Sequence, residues 1–216
     1  MLKLKFCKKS LQLYAITDRH WLNGMKLKDV VEEVLKSGAT FLQLREKELN
    51  HDDFVAEAKE IKKLTDKYNV PFVINDDISV AKEVDADGVH IGQSDMEYTK
   101  AREILGNDKI IGVSAGNLEE AKIAEKKGAD YIGIGAIFHT NTKKDACDMS
   151  KETLLEITRN VNIPIVAIGG ITYDNCDYLK GIGVDGISVI SAIFGAENPT
   201  EATKKLFKKT KEIFEY

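Results

Sequence analysis

Short apolar runs alternate with longer amphipathic ones along the whole chain. The strand-like runs are LQLYAIT (11–17), FLQLRE (41–46), PFVIND (71–76), GVHIG (88–92), IIGVSA (110–115), YIGIGAIF (131–138), PIVAIGG (164–170) and GISVISAIF (186–194). Between them the period changes. LKDVVEEVLKSG puts apolar residues at 27, 30, 31, 34 and 35, the spacing of one helix face. It stops at Gly38, a residue suited to the left-handed turn that ends many helices. DDFVAEAKEIKKLTDKYN and NLEEAKIAEKKG repeat the form, and in the second Asn117 is placed to cap the helix, with Glu120 three residues on.

Four segments echo one another: KSGATFLQLR, VDADGVHIG, KKGADYIGIG and GIGVDGISVIS. Each reads as a helix end or approach, a small or acidic turn, then a strand. Strand–helix units recurring every ~25 residues predict a parallel sheet with right-handed crossovers. Eight such units predict an α/β fold that closes as a (β/α)8 TIM barrel, and 216 residues lies near the lower limit for one. The expectation is a single TIM-barrel domain over residues 1–216, with no linker or boundary. An open doubly wound sheet is the alternative; no GxGxxG follows the first strand, which disfavours a dinucleotide-binding version of it.

Composition narrows the function classes. A net charge of −4 and a pI near 5.7 argue against non-specific nucleic-acid binding, which calls for a basic surface. The three cysteines, Cys7, Cys147 and Cys176, are widely spaced with no CxxC, so neither a disulfide framework nor a zinc site is expected. The first residues lack the apolar core of a secretory signal, and no run approaches the ~20 apolar residues of a membrane span. A reduced, cytoplasmic protein without membrane contact is expected. Whether it forms a homo-oligomer is left open.

Barrel active sites lie at the C-terminal ends of the strands. Those ends carry Gln43, Arg45, Glu46 and Lys47; Asn75, Asp76 and Asp77; Asp95; Ser114; Gly169 and Gly170; and Ser191. After the sixth run the chain turns abruptly polar, with Thr140, Asn141, Thr142, Lys143 and Lys144. Such a segment is either a solvated loop or the holder of an anion. Each residue also has a plain reading. Arg45 and Lys47 could line a solvated edge, Asp76 and Asp95 could cap helices, Ser114 could bond its own turn, and the glycines could form only a tight turn. Taken together, two carboxylates from neighbouring strands suit Mg²⁺, which keeps phosphate oxygens among its ligands. The surrounding lysine and arginine would hold a diphosphate. The Thr/Gly/Ser set, lacking an acid, suits a monophosphate.

At these residues the sequence resembles thiamine-phosphate synthase. The resemblance runs from LYAITD to VISAIF through QLREK, ND, ADGVHIGQSD, GVS, IFHTNTKKDA, AIGGI and VISAI in order. It implies a (β/α)8 enzyme that joins 4-amino-2-methyl-5-hydroxymethylpyrimidine diphosphate to 4-methyl-5-(2-phosphoethyl)thiazole, giving thiamine monophosphate and pyrophosphate. By the same resemblance, the stretch Gln43, Leu44, Arg45, Glu46 and Lys47, with Asn75, Ser114 and Lys143, binds the pyrimidine diphosphate. Asp76 and Asp95 hold Mg²⁺. Thr140, Asn141, Thr142, Gly170, Ile190 and Ser191 surround the thiazole phosphate. Arg45, Lys47, Lys143 and Ser114 carry the catalytic roles, which are electrostatic rather than nucleophilic. The sequence departs from the family's usual pattern at four places: Asp77 stands for Arg, Ser79 for Asp, His139 for Pro, and DMSKE for a Gly-containing turn. The implied chemistry gives His139 no role as a base. Competing readings are a related thiazole tautomerase, a non-catalytic precursor-binding protein, and a phosphosugar isomerase or epimerase; none of them accounts for the acidic pair beside the lysines.

Overall fold

The eight apolar runs form eight parallel strands in a closed barrel, in the order β1 to β8 with β8 paired back to β1. The structure is a computed structural model that describes residues 6–22, 24–92, 98–139 and 149–214. The strands are β1 Leu13–Ile16, β2 Phe41–Leu44, β3 Phe72–Asn75, β4 Gly88–Ile91, β5 Ile110–Ala115, β6 Tyr131–Ile134, β7 Ile165–Ile168 and β8 Gly186–Val189. Helices α1 Leu27–Lys36, α2 His51–Tyr68, α3 Ile78–Glu83, α4 Tyr98–Leu105, α5 Leu118–Lys126, α6 Lys151–Asn160, α7 Ser191–Phe194 and α8 Pro199–Ile213 form the outer ring. The link from β7 to β8 carries one 3-10 turn at Cys176–Leu179.

Strand side chains alternate between two cores. Leu13, Leu42, Leu44, Ile74, Val89, Ile132 and Val189 point outward against the helices. Tyr14, Ile16, Phe41, Val73, Ile110, Tyr131 and Val166 fill the barrel itself. The helices supply the matching stripe; α1 buries Leu27, Val30, Val31, Val34 and Leu35, the residues its period predicts. Several helices start on a side-chain cap: Asn50 accepts from Asp53 N, Asn117 from Glu120 N, Ser150 from Thr153 N and Asn198 from Glu201 N. Each satisfies an amide that the first helical turn leaves over.

The four-fold echo in the sequence has a structural cause. Thr40 Oγ1 accepts from Leu13 N at 2.8 Å, Asp87 Oδ2 from Phe72 N at 3.0 Å, Asp130 Oδ2 from Ile111 N at 2.7 Å and Asp185 Oδ2 from Ile165 N at 2.8 Å. The residue before each even-numbered strand therefore secures an amide at the start of the preceding odd-numbered strand, the first in β1, β3 and β7 and the second in β5. The repeat is a pair of strand–helix units, and its clamps lie at the N-terminal face, opposite the mouth.

Most of the apolar runs are trimmed as strands, and two of them lose half their length or more. The run 186–194 stops at Val189, and Ser191–Phe194 continues as α7, burying Ile193 and Phe194. The run 131–138 ends as strand at Ile134. A continuous apolar run does not distinguish buried strand from buried helix by period alone.

Candidate active site

At the C-terminal mouth, β2 delivers the alternation that its sequence predicts. Gln43 points into the barrel and is buried, while Leu44 points the other way into the helix-facing core. Beyond the strand, Arg45 and Lys47 turn to the mouth. Arg45 Nη1 is held by Asp18 Oδ2 at 3.1 Å, and the Arg45 amide donates to Thr17 Oγ1 at 3.0 Å. Asp18 is a site residue that sequence reasoning missed; its signal is the last letter of LYAITD at the end of β1. Lys47 Nζ lies 2.8 Å from Asp76 Oδ2, with Asn75 Nδ2 donating to the same oxygen at 2.6 Å. Both members of the Lys47–Asp76 pair are substantially exposed, so the contact contributes little to stability.

Asp76 and Asp77 have separate jobs. Asp76 takes a left-handed backbone, φ 63°, tied by its amide to His90 O at 2.9 Å. That kink leaves the cap of α3 to Asp77, whose Oδ1 accepts from Val80 N at 2.9 Å and from Ser79 Oγ at 2.6 Å. The two departures at 77 and 79 thus form one capping unit, and Asp76 is not the helix cap. Glu46 faces Arg19, not the mouth: Arg19 Nη2 reaches Glu46 Oε2 at 2.8 Å and Glu57 Oε1 at 2.8 Å. Burial alone would push the Glu46 carboxyl up, but the Glu48 amide, Arg19 and the Lys47 amide outweigh it and hold the group below its ordinary value. Any ligand contact from Leu44 or Glu46 therefore falls to the backbone.

Across the mouth, Ser114 Oγ on β5 lies 3.0 Å from His90 Nε2, and His90 Nδ1 lies 2.9 Å from Tyr131 Oη. Tyr131 Oη in turn is 2.8 Å from Tyr14 Oη, which Gln43 Nε2 reaches at 2.5 Å. A polar chain, buried from Gln43 to Tyr131 and half-buried at His90 and Ser114, so connects two candidate site residues on opposite sides of the barrel. Burial pushes the Tyr14 and Tyr131 hydroxyls above the ordinary phenol range, keeping them protonated. His90, Tyr14 and Tyr131 were also missed from sequence.

The thiazole-side candidates gather around β7 and β8. Gly169 and Gly170 have φ of 100° and 62°. A Cβ on Gly170 would stand 2.5 Å from His139 O and 2.7 Å from Phe138 O. The pair therefore lets the β7 turn lie directly on the segment leaving β6, where Phe138 N donates to Gly169 O at 3.0 Å. Ile190 packs against the barrel core, and Ser191 opens α7 with an exposed side chain. Met149 N returns to Ala136 O at 2.7 Å. Asp95, Thr140, Asn141, Thr142 and Lys143 lie outside the described residues.

Residues 13–193 match the family model for thiamine monophosphate synthase. The chain belongs to the thiamine-phosphate synthase family. It is 50% identical over 201 residues to a thiamine-phosphate synthase of Methanobrevibacter smithii, covering 93% of this chain and 96% of that one. To the thiamine-phosphate synthase of Clostridium tetani it is 52% identical over 194 residues, covering 90% and 93%. The solved structure of a thiamine phosphate pyrophosphorylase from Pyrococcus furiosus superposes with a TM-score of 0.89 at 43% identity, covering 95% of this chain and 98% of that one. The chain is an enzyme, a transferase of thiamine biosynthesis. Among the described residues no helix is long and apolar enough to cross a membrane.

Proposed function

We propose that the enzyme condenses 4-amino-2-methyl-5-hydroxymethylpyrimidine diphosphate with 4-methyl-5-(2-phosphoethyl)thiazole, releasing pyrophosphate and thiamine monophosphate, as a cytoplasmic catalyst. The observation that carries this reading is the convergence of Gln43, Arg45, Lys47, Asn75, Asp76 and Ser114 on one mouth, two fixed cations among them. Arg45, steadied by Asp18, and Lys47 would take up the charge that develops on the departing diphosphate. Lys143 would add a third cation. Gln43, Asn75 and Ser114 would orient the pyrimidine and its diphosphate, so that the methylene carbon faces the thiazole nitrogen. The thiazole phosphate would sit by Thr140, Asn141, Thr142, Gly170, Ile190 and Ser191.

As the methylene C–O bond breaks, its electron pair leaves with pyrophosphate and the aminopyrimidine shares the positive charge. The thiazole nitrogen then donates its lone pair to that carbon. No protein nucleophile is needed. The fully buried Tyr14, Phe41 and Tyr131 close the barrel below Gln43, and would keep water from that side of the reacting carbon.

The donor set fits Mg²⁺. Asp76 offers hard carboxylate oxygen, and among the described residues no group of three or more His, Cys, Asp or Glu converges as a protein-only site. Remaining ligands would come from Asp95, substrate oxygens and water, the usual pattern for this ion on a diphosphate. When bound, Mg²⁺ neutralises diphosphate charge and improves pyrophosphate as a leaving group.

The test is an assay of purified protein with both substrates and Mg²⁺, following pyrophosphate and thiamine monophosphate together. Equal yields of both products are expected. Pyrophosphate alone would mean a diphosphatase, and no turnover would mean a binding protein. Calorimetry of pyrimidine diphosphate with and without Mg²⁺ tests the metal; affinity independent of Mg²⁺ would refute its role.

A further inference from the structure

We infer that Tyr14, Tyr131 and His90 are positioning residues that set the direction of the Ser114 hydroxyl and couple it to the orientation of the Gln43 amide. This rests on the reading of the mouth as a pyrimidine diphosphate site.

The argument is a count of protons. Gln43 Nε2 donates to Tyr14 Oη. A phenol has one proton, and the remaining partner of Tyr14 is Tyr131, so Tyr14 donates to Tyr131 Oη. Tyr131 has the same constraint, and its proton goes to His90 Nδ1. With Nδ1 accepting, the neutral imidazole carries its proton on Nε2, which points at Ser114 Oγ. Ser114 accepts there, and its own hydrogen is directed away from the imidazole. Reversing the Gln43 amide reverses every bond in turn and commits the Ser114 hydrogen to His90. Gln43 on β2 and Ser114 on β5 are thus linked in sense, although 71 residues separate them along the chain.

The fold is built around this chain. A Cβ on Gly112 would lie 2.1 Å from Tyr131 Cζ, and one on Gly133 would lie 3.3 Å from His90 Cε1. These two glycines make the room in which Tyr131 and His90 stand. Phe41 packs against both tyrosine rings, its centroid 4.5 Å from Tyr14 and 5.7 Å from Tyr131.

The polarity has a chemical sense. Gln43 directs Nε2 at Tyr14, which turns Oε1, its one acceptor, to the other side of the amide. With His90 Nε2 donating to it, Ser114 directs its own hydrogen to a partner other than the imidazole. A ligand with an amino group at one end and an anionic oxygen at the other matches both, and an aminopyrimidine diphosphate is such a ligand.

The experiment has two arms. The first uses substrate-free protein labelled with ¹⁵N-histidine at about pH 8, above the ordinary imidazole range. Wild type is expected to show His90 as the Nε2–H tautomer. Tyr14→Phe should retain it, because Tyr131 still donates to Nδ1; Tyr131→Phe should lose it. A merely space-filling role predicts no difference between the two variants. An Nδ1–H tautomer in wild type, or no change in Tyr131→Phe, would overturn the inference. The second arm is kinetic. Tyr131→Phe should lower kcat/KM for the pyrimidine diphosphate by roughly 10-fold, the scale of one misdirected hydrogen bond, with the KM for thiazole phosphate unchanged. Equal effects on both substrates would count against the coupling. If wild type fails to turn over these substrates, the proposed function falls while the tautomer arm still decides the chain.

Discussion

The neighbouring acids Asp76 and Asp77 should fail in opposite ways when substituted. Asp77 Oδ1 accepts from Val80 N and Ser79 Oγ at the start of a helix only six residues long. Removing it with Asp77→Ala leaves α3 without its cap, at a cost of about 1 kcal/mol and at most ~2. For a chain of this size each kcal/mol moves Tm by roughly 2–4 °C, so Tm should fall by a few degrees while turnover stays within about two-fold of wild type. Asp77→Asn, an equally good cap, should do neither. Asp76 sits at φ 63° beside Lys47 and Asn75. Asn tolerates that backbone better than Ala, so Asp76→Asn removes the charge without adding strain. Its partner Lys47 is half exposed, so Tm should change little. Turnover should fall by about 10²- to 10³-fold, because the Mg²⁺ that would offset the diphosphate charge, an effect worth several kcal/mol, loses a carboxylate ligand. The assays are differential scanning calorimetry and pyrophosphate release, run on the same preparations. A crossed result, with Asp77→Ala inactive at unchanged Tm and Asp76→Asn active but less stable, would refute the division.

Other outcomes follow from the same geometry. Asp130→Ala strips the acceptor from the Ile111 amide at the N-terminal face and should cost about 1–3 kcal/mol in urea melts without altering KM; an altered KM would show that this face communicates with the mouth. Ser188 Oγ is buried with no hydrogen-bond partner among the described residues, so Ser188→Ala should leave stability unchanged or raise it by about 1 kcal/mol; a loss larger than that would reveal a partner. Gly170→Ala combines positive φ with contacts to two carbonyl oxygens, and should lower Tm and raise the KM for thiazole phosphate together; a fall in Tm alone would separate the turn from the site. Glu46, whose carboxyl titrates below its ordinary value, adds stability that is complete above the unfolded-state pKa near ~4.3 and is lost as pH falls through the folded value. Glu46→Gln should therefore be less stable than wild type at neutral pH, with the gap closing in acid; a gap that persists to about pH 3 would contradict this.

The barrel was legible because its cause is local. Alternation in β2 placed Gln43 inward and Leu44 outward, and the period of α1 named its buried face. What escaped was decided by partners far away in sequence. Tyr14 and Tyr131 look like ordinary core aromatics in LYAIT and YIGIG, and only closure of the barrel brings their hydroxyls together across 117 residues. His90 in GVHIG reads as a strand residue for the same reason. NDD could not say which acid caps α3, because one residue in left-handed conformation shifts the assignment by one place. Glu46 was read toward the mouth with its neighbours; the pull of Arg19, itself set by Glu57, turns it away.

The bond from Met149 N to Ala136 O, with Gly169 and Gly170 bedded on Phe138 and His139, ties both ends of the segment 140–148 to one spot on the rim. The entropy of closing such a segment grows only with the logarithm of its length, so even doubling it costs about 0.6 kcal/mol. Descent with modification could therefore lengthen, shorten or rewrite this stretch while the barrel folds as before. The rim behaves as a socket whose two fixed edges accept segments of different length and sequence.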